Sequence, residues 1–170
     1  YDKLNLKKQG YFVMTLHRPA NVDEKENLKS LMDEIIKNSQ NLPLIFPVHP
    51  RTARVLENLG LQYDLLYTID PLSYLEFNFL VENSKAVITD SGGITEETTV
   101  MGIPCITLRN NTERPETVSL GTNELIGTDP SAIKPVMKKL FSLNWKKGQI
   151  PEMWDGKTAD RIVSILLKIK

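Results

Sequence analysis

The chain has one cysteine in 170 residues. One thiol builds no disulfide framework, and no Cys/His zinc spacing accompanies it. That excludes the disulfide-stapled secreted class and the zinc modules, and it fits a cytoplasmic protein. Cys105 stands in an apolar run and reads as a small buried hydrophobe, with a catalytic thiol as the sharper alternative. An excess of either charge is also lacking: 21 Lys and Arg cancel 21 Asp and Glu, for a formal net charge of zero. This argues against a general nucleic-acid or anionic-membrane surface, but not against a local anion pocket. No apolar run reaches the ~18 residues of a membrane span. No signal-peptide pattern is visible at the N-terminus, and there is no internal repeat or low-complexity segment. What is present is an ordinary globular composition, 41% apolar and 25% charged, of a length that suits one domain with its own core.

The stretch 86–116 organises the rest. Ala86-Val87-Ile88-Thr89 reads as a buried strand and is followed at once by Asp90-Ser91-Gly92-Gly93. Residues 94–101 read as a helix stopped by Gly102 and Pro104, and 105–108 as a second apolar strand leading to Glu113-Arg114-Pro115-Glu116. A strand that turns into a helix through Ser-Gly-Gly leaves backbone N–H groups without partners at the positive end of the helix dipole. The two glycines allow close approach of an anion and tolerate positive φ. The expected result is a phosphate cradle at Ser91, Gly92 and Gly93, with the Ser91 hydroxyl capping the helix or donating to a phosphate oxygen. Spacing alone leaves the plain alternative open, because a glycine turn between strand and helix recurs throughout α/β proteins. Glu96 and Glu97 follow one turn later. A carboxylate beside a diphosphate needs another task, and accepting hydrogen bonds from ribose hydroxyls fits. Neighbouring residues do not share a helix face, so only one of the two is expected to meet the ligand.

Taken in order, 11–16 reads as a strand ending at His17-Arg18, and 24–39 as an amphipathic helix with Asp23 and Glu26 in a capping-box-like pattern. Strand 42–48 ends at His49-Pro50-Arg51 and precedes a short helix over 52–60. Residues 65–69 read as a strand and 72–81 as a helix with too many apolar groups for one stripe, so at least one aromatic should face away from the core. A short strand and turn over 125–129, an outer helix over 131–141, a linker over 144–155 and an amphipathic helix over 157–170 complete the chain. The alternation predicts an α/β fold, a Rossmann-like parallel sheet with helices on both faces. In such a sheet the strand-end loops form the ligand face, which places His17, Arg18, His49 and Arg51 there. Arg109 and Arg114 are natural bidentate partners for a diphosphate, although Arg109 also suits a structural pairing with Glu113 or Glu116.

The runs TDSGGITEE, LRNNTERPE and GTNELIGTD, with TLHRPANVD at 15–23 and PVHPRT at 47–52, closely resemble the C-terminal half of the non-hydrolysing UDP-N-acetylglucosamine 2-epimerases. The resemblance covers nearly the whole chain. It implies one half of a GT-B fold, with the nucleotide sugar held between two Rossmann-like domains. Residues 1–10 would then lead in from a preceding N-terminal domain, 11–155 would form the UDP-binding domain, and 156–170 would be a crossover helix bracing the partner domain. The implied activity is interconversion of UDP-N-acetylglucosamine (UDP-GlcNAc) and UDP-N-acetylmannosamine. UDP is eliminated to a 2-acetamidoglucal and then re-added, in the service of cell-surface polysaccharide synthesis, without metal or nicotinamide cofactor.

The resemblance makes His17 catalytic or diphosphate-contacting and carries Arg18 to the substrate. It sets Phe77 against the uracil and Arg114 on the phosphates; of the two carboxylates, Glu97 is the choice for the ribose hydroxyls, with Glu96 second. His49 and Arg51 fall near a site where some bacterial relatives bind a second UDP-GlcNAc as activator. Pro19-Ala20 replaces the charged pair of those regulated members, which argues against such activation. The carboxylate base is expected from the N-terminal domain and the full-length enzyme is expected to be a homodimer. This chain alone is expected to bind UDP weakly and turn over nothing. The alternatives are the donor-binding half of a GT-B glycosyltransferase, a hydrolysing epimerase, and a nucleotide-binding module without chemistry.

Overall fold

Alternation of side chains along the central strands settles the layering. Phe12, Met14, Leu44, Phe46, Ile88 and Ile106 point to one face of the sheet, where they meet Leu28, Leu31, Met32 and Ile35 and also Ile133, Val136, Met137 and Leu140. Val13, Ile45, Val87 and Cys105 point to the other face, with Leu80, Val81 and Ile103. Strands apolar on both faces require cover on both, and that is the parallel α/β sandwich. The computed structural model describes residues 5–22, 24–48, 50–58, 60 and 62–169, with the backbone alone at Ala20, Pro50 and Arg51.

Among the described residues six parallel strands, β1 (Phe12–Thr15), β2 (Leu44–Pro47), β3 (Leu66–Ile69), β4 (Ala86–Thr89), β5 (Cys105–Thr107) and β6 (Asn123–Leu125), form one sheet in the order β3-β2-β1-β4-β5-β6. The helices are α1 (Pro19–Val22), α2 (Lys25–Asn38), α3 (Pro50–Asn58), α4 (Tyr74–Glu82), α5 (Gly92–Met101), α6 (Pro115–Ser119), α7 (Ile133–Phe141) and α8 (Thr158–Leu166). Helices α2 and α7 lie against the first sheet face, while α4 supplies Leu80 and Val81 to the second. The expected fold class is therefore the observed one.

Several boundaries differ from expectation for local reasons. Helix α4 starts two residues late because Ser73 and Glu76 close a capping box on its first turn. The N-cap of α2 is Glu24, with no side-chain capping bond; Asp23, expected there, lies outside the described residues. Helix α5 begins at Gly92, two residues early. The short helices α1 and α6 occupy segments expected as loops, each with proline in its first position. Strand β6 precedes its expected place by two residues. Cys105 is fully buried, and burial pushes its thiol up to about 11, which leaves the packing role.

Candidate functional site

In the order 3-2-1-4-5-6 the direction of winding reverses between β1 and β4. The chain therefore leaves these two strands in opposite directions at the carboxyl edge of the sheet, the crevice position at which ligands of doubly wound folds bind. The two strands end in register at Thr15 and Thr89, whose hydroxyl oxygens lie 2.6 Å apart. Thr89 Oγ1 also accepts a hydrogen bond from the Ser91 N–H at 2.9 Å.

The next residue, Asp90, is fully buried. A carboxylate in that position requires partners on both oxygens, and it has them. The backbone N–H of His17 lies 3.2 and 3.1 Å from its two oxygens, that of Arg18 at 2.9 Å and the Asn21 amide at 3.1 Å. The His17 Nδ1 lies 2.8 Å from Oδ1. Asn21 donates as well to the carbonyl of Leu108, just past β5, and Arg18 Nε donates to the carbonyl of Asp90 itself. Asp90 and Asn21 together thus tie the segments that leave three adjacent strands. Sequence reasoning gave no role to Asp90 or Asn21. The signal was a carboxylate directly after four residues that are all buried in the sheet.

Helix α5 starts beside this knot. Ser91 takes the N-cap backbone conformation, with φ −82° and ψ 135°, but makes no side-chain capping bond. The first turn thus keeps N–H groups aimed out of the helix. The glycines serve differently from expectation, since neither Gly92 nor Gly93 has positive φ. Their value is proximity. A β-carbon on Gly92 would lie 3.3 Å from both Arg109 Nη1 and Glu113 Oε2, whereas one on Gly93 would meet nothing within 4 Å. Gly93 opens outward.

The charged groups around the helix start are paired. Arg109 is 5% exposed and binds Glu113 through two hydrogen bonds, 2.8 Å from Nη1 and 2.7 Å from Nη2, with Nη2 also 3.2 Å from Asn111 Oδ1. These bonds hold the Glu113 carboxyl down at about 2. Arg18 Nη2 approaches the same carboxylate at 3.9 Å. The alternative of a structural Arg109–Glu113 pairing is the one observed. Arg114, exposed at the start of α6, pairs with Glu96 of α5. Glu97 is hydrogen-bonded instead by Tyr74 of α4. It is half-buried, and burial raises its carboxyl against the hydrogen bond from Tyr74 of α4, with Glu96 adding a smaller upward push.

His17, Arg18, Ser91, Gly92, Gly93, Glu96, Arg109 and Arg114 are therefore linked around one edge of the sheet, with Glu97 on the adjoining turn. Phe77 is half-buried and packs on the second core face. His49 and the Arg51 side chain lie outside the described residues. Among the described residues no three His, Cys, Asp or Glu side chains are grouped to hold a metal ion, and no helix is long and apolar enough to cross a membrane.

Comparison with known proteins gives the family and the fold. A protein-family model described as UDP-N-acetylglucosamine 2-epimerase matches residues 1–167. The UDP-N-acetylglucosamine 2-epimerase of Methanocaldococcus jannaschii is 41% identical over 164 residues, which cover 92% of this chain and 44% of the relative. The UDP-2,3-diacetamido-2,3-dideoxy-D-glucuronate 2-epimerase of Pseudomonas aeruginosa is 40% identical over 162 residues, covering 94% of this chain and 45% of the relative. The crystal structure of the M. jannaschii enzyme in complex with UDP-GlcNAc and UDP superposes with a TM-score of 0.81 at 40% identity, over 92% of this chain and 45% of that one. The chain spans about half the length of the curated relatives it matches. It belongs to the UDP-N-acetylglucosamine 2-epimerase family.

Proposed function

We propose that the switch-point crevice binds the UDP moiety of a nucleotide sugar, and that the chain serves as the nucleotide-binding half of a UDP-GlcNAc 2-epimerase. The observation that carries this reading is the open first turn of α5, with Gly93 unobstructed and His17, Arg18 and Arg114 around it. In this reading the N–H groups at Gly92 and Gly93 and the Ser91 hydroxyl receive the diphosphate. Arg114, exposed and paired with Glu96, exchanges that carboxylate for a phosphate. Glu97 accepts the ribose hydroxyls and Phe77 packs against the uracil. Arg18 adds charge beside the diphosphate, while Arg109 stays with Glu113 and braces the loop.

The chemistry then runs as an elimination and its reversal. A base removes the proton at sugar C2, the C1–O bond breaks, the C1=C2 double bond of a 2-acetamidoglucal forms, and UDP departs with the electron pair. Charge grows on the terminal phosphate, where the α5 N–H groups, Arg114 and His17 stabilise it. Re-addition of UDP at C1, with a proton returned to the opposite face of C2, gives the epimer. The carboxylate base comes from a domain outside this chain.

A second reading concerns the sugar. The two relatives named above, at 41% and 40% identity, carry different sugars in their names, which supports a role for this half in holding the nucleotide they share. Calorimetric titration with UDP tests the proposal. Measurable binding is expected in the wild type, weakened about 10–100-fold by Arg114→Ala, the range for loss of charge-assisted hydrogen bonds. Equal affinity in both proteins, or no binding in the wild type, would contradict it.

A further inference from the structure

We propose that Asp90 is a positioning residue for His17: its carboxylate fixes the imidazole as the Nδ1–H tautomer and presents Nε2 to the sugar diphosphate. The inference rests on the role given to His17 above and extends it to a residue that touches no substrate.

Both oxygens of Asp90 face N–H donors: the backbone of His17 and Arg18, and the amide of Asn21. A carboxylate so surrounded acts only as acceptor. The ring nitrogen 2.8 Å from Oδ1 must therefore carry its hydrogen. The carboxylate cannot turn away, because it is fully buried and held by three further groups. Since the same carboxylate holds the backbone N–H of His17, main chain and ring are aligned together. The two nitrogens of an imidazole diverge, so Nε2 points away from the buried side, and the His17 side chain is 62% exposed. A neutral ring then meets the ligand with a lone pair on Nε2, and a protonated ring meets it with an N–H whose positive charge Asp90 balances from behind.

Long-range ¹H–¹⁵N correlation spectra read the tautomer directly. The chain has two histidines, so His49→Gln leaves a single imidazole to assign. In that background, at a pH where the ring is neutral, Nδ1 is expected to be pyrrole-like and Nε2 pyridine-like. Asp90→Asn is expected to move the ratio at least about fivefold toward the Nε2–H form. Asn21→Ala removes another partner of Asp90 without touching the ring, and is expected to lower the melting temperature while leaving the tautomer unchanged. A dominant Nε2–H form in the protein retaining Asp90 overturns the inference whether or not Asp90→Asn folds. So does an unchanged ratio in Asp90→Asn, or an equal change in Asn21→Ala. UDP added to the protein retaining Asp90 is expected to shift the Nε2 resonance. Absence of that shift with the Nδ1–H form intact would remove His17 from the diphosphate, and the positioning role with it. A shift with the wrong tautomer would overturn the positioning role alone.

Discussion

A β-carbon added at Gly93 would meet no protein atom within 4 Å, so the fold does not require glycine there. Alanine is the better helix former, by up to about 1 kcal/mol. Gly93→Ala is therefore expected to leave the melting temperature unchanged or raise it, while weakening UDP about tenfold by keeping the diphosphate off the backbone. Melting and calorimetry on one sample check both halves, and undiminished affinity would contradict the cradle. Glu113 gives a pH signature. Its carboxyl is lowered from 4.5 to about 2, chiefly by the hydrogen bonds from Arg109. A depressed carboxyl stabilises the fold above its ordinary value and loses that contribution as pH falls through the folded value. The difference in melting temperature between wild type and Glu113→Gln is therefore expected to be constant above about pH 5 and to close between 4.5 and 2. At this scale the sequence revealed those groups whose meaning is local: Ser91-Gly92-Gly93 at a helix start, and Arg109 four residues from Glu113. It concealed Asp90, because the groups that satisfy it lie 69 to 73 residues earlier in the chain.

Among the elements, α5 carries the proposed cradle and must be held firmly at its far side. Gly121, just before β6, permits this. A β-carbon there would fall 2.4 Å from Thr99 Oγ1 of α5 and 2.6 Å from the Thr117 carbonyl of α6. Gly121→Ala is expected to cost about 1–3 kcal/mol by overpacking, seen as a melting temperature lower by roughly 2–12 °C. An unchanged melting temperature would show that the α5–β6 contact has slack. Long periodic elements were legible, as the four buried residues of α2 show. The ends of α4 and α5 were less so, because caps and not hydrophobic pattern decide where those helices begin. Helices α1 and α6, at four and five residues, are too short to show any period.

For the molecule as a whole, alternating strands and helices announced a parallel sheet, but strand order is a product of pairings between distant segments that no local pattern displays. That order is what brings two ordinary loops together in the candidate site, by placing β1 beside β4. Helix α8 lies apart from the core. None of its residues is buried, and Ile162, Val163, Ile165, Leu166 and Leu167 are all exposed. Its start is fixed by the bidentate pair of Arg161 with Asp155. We propose that this face braces a further domain, the place expected of a crossover helix.

In the proposed reading UDP binds where β1 and β4 diverge. The most direct test is to map backbone amide resonances of the chain as UDP is added. The largest shifts are expected at 91–94 and at His17 and Arg18. Shifts absent from those amides, or confined to the groove bordered by Ala53, Leu56 and Tyr63, would contradict it.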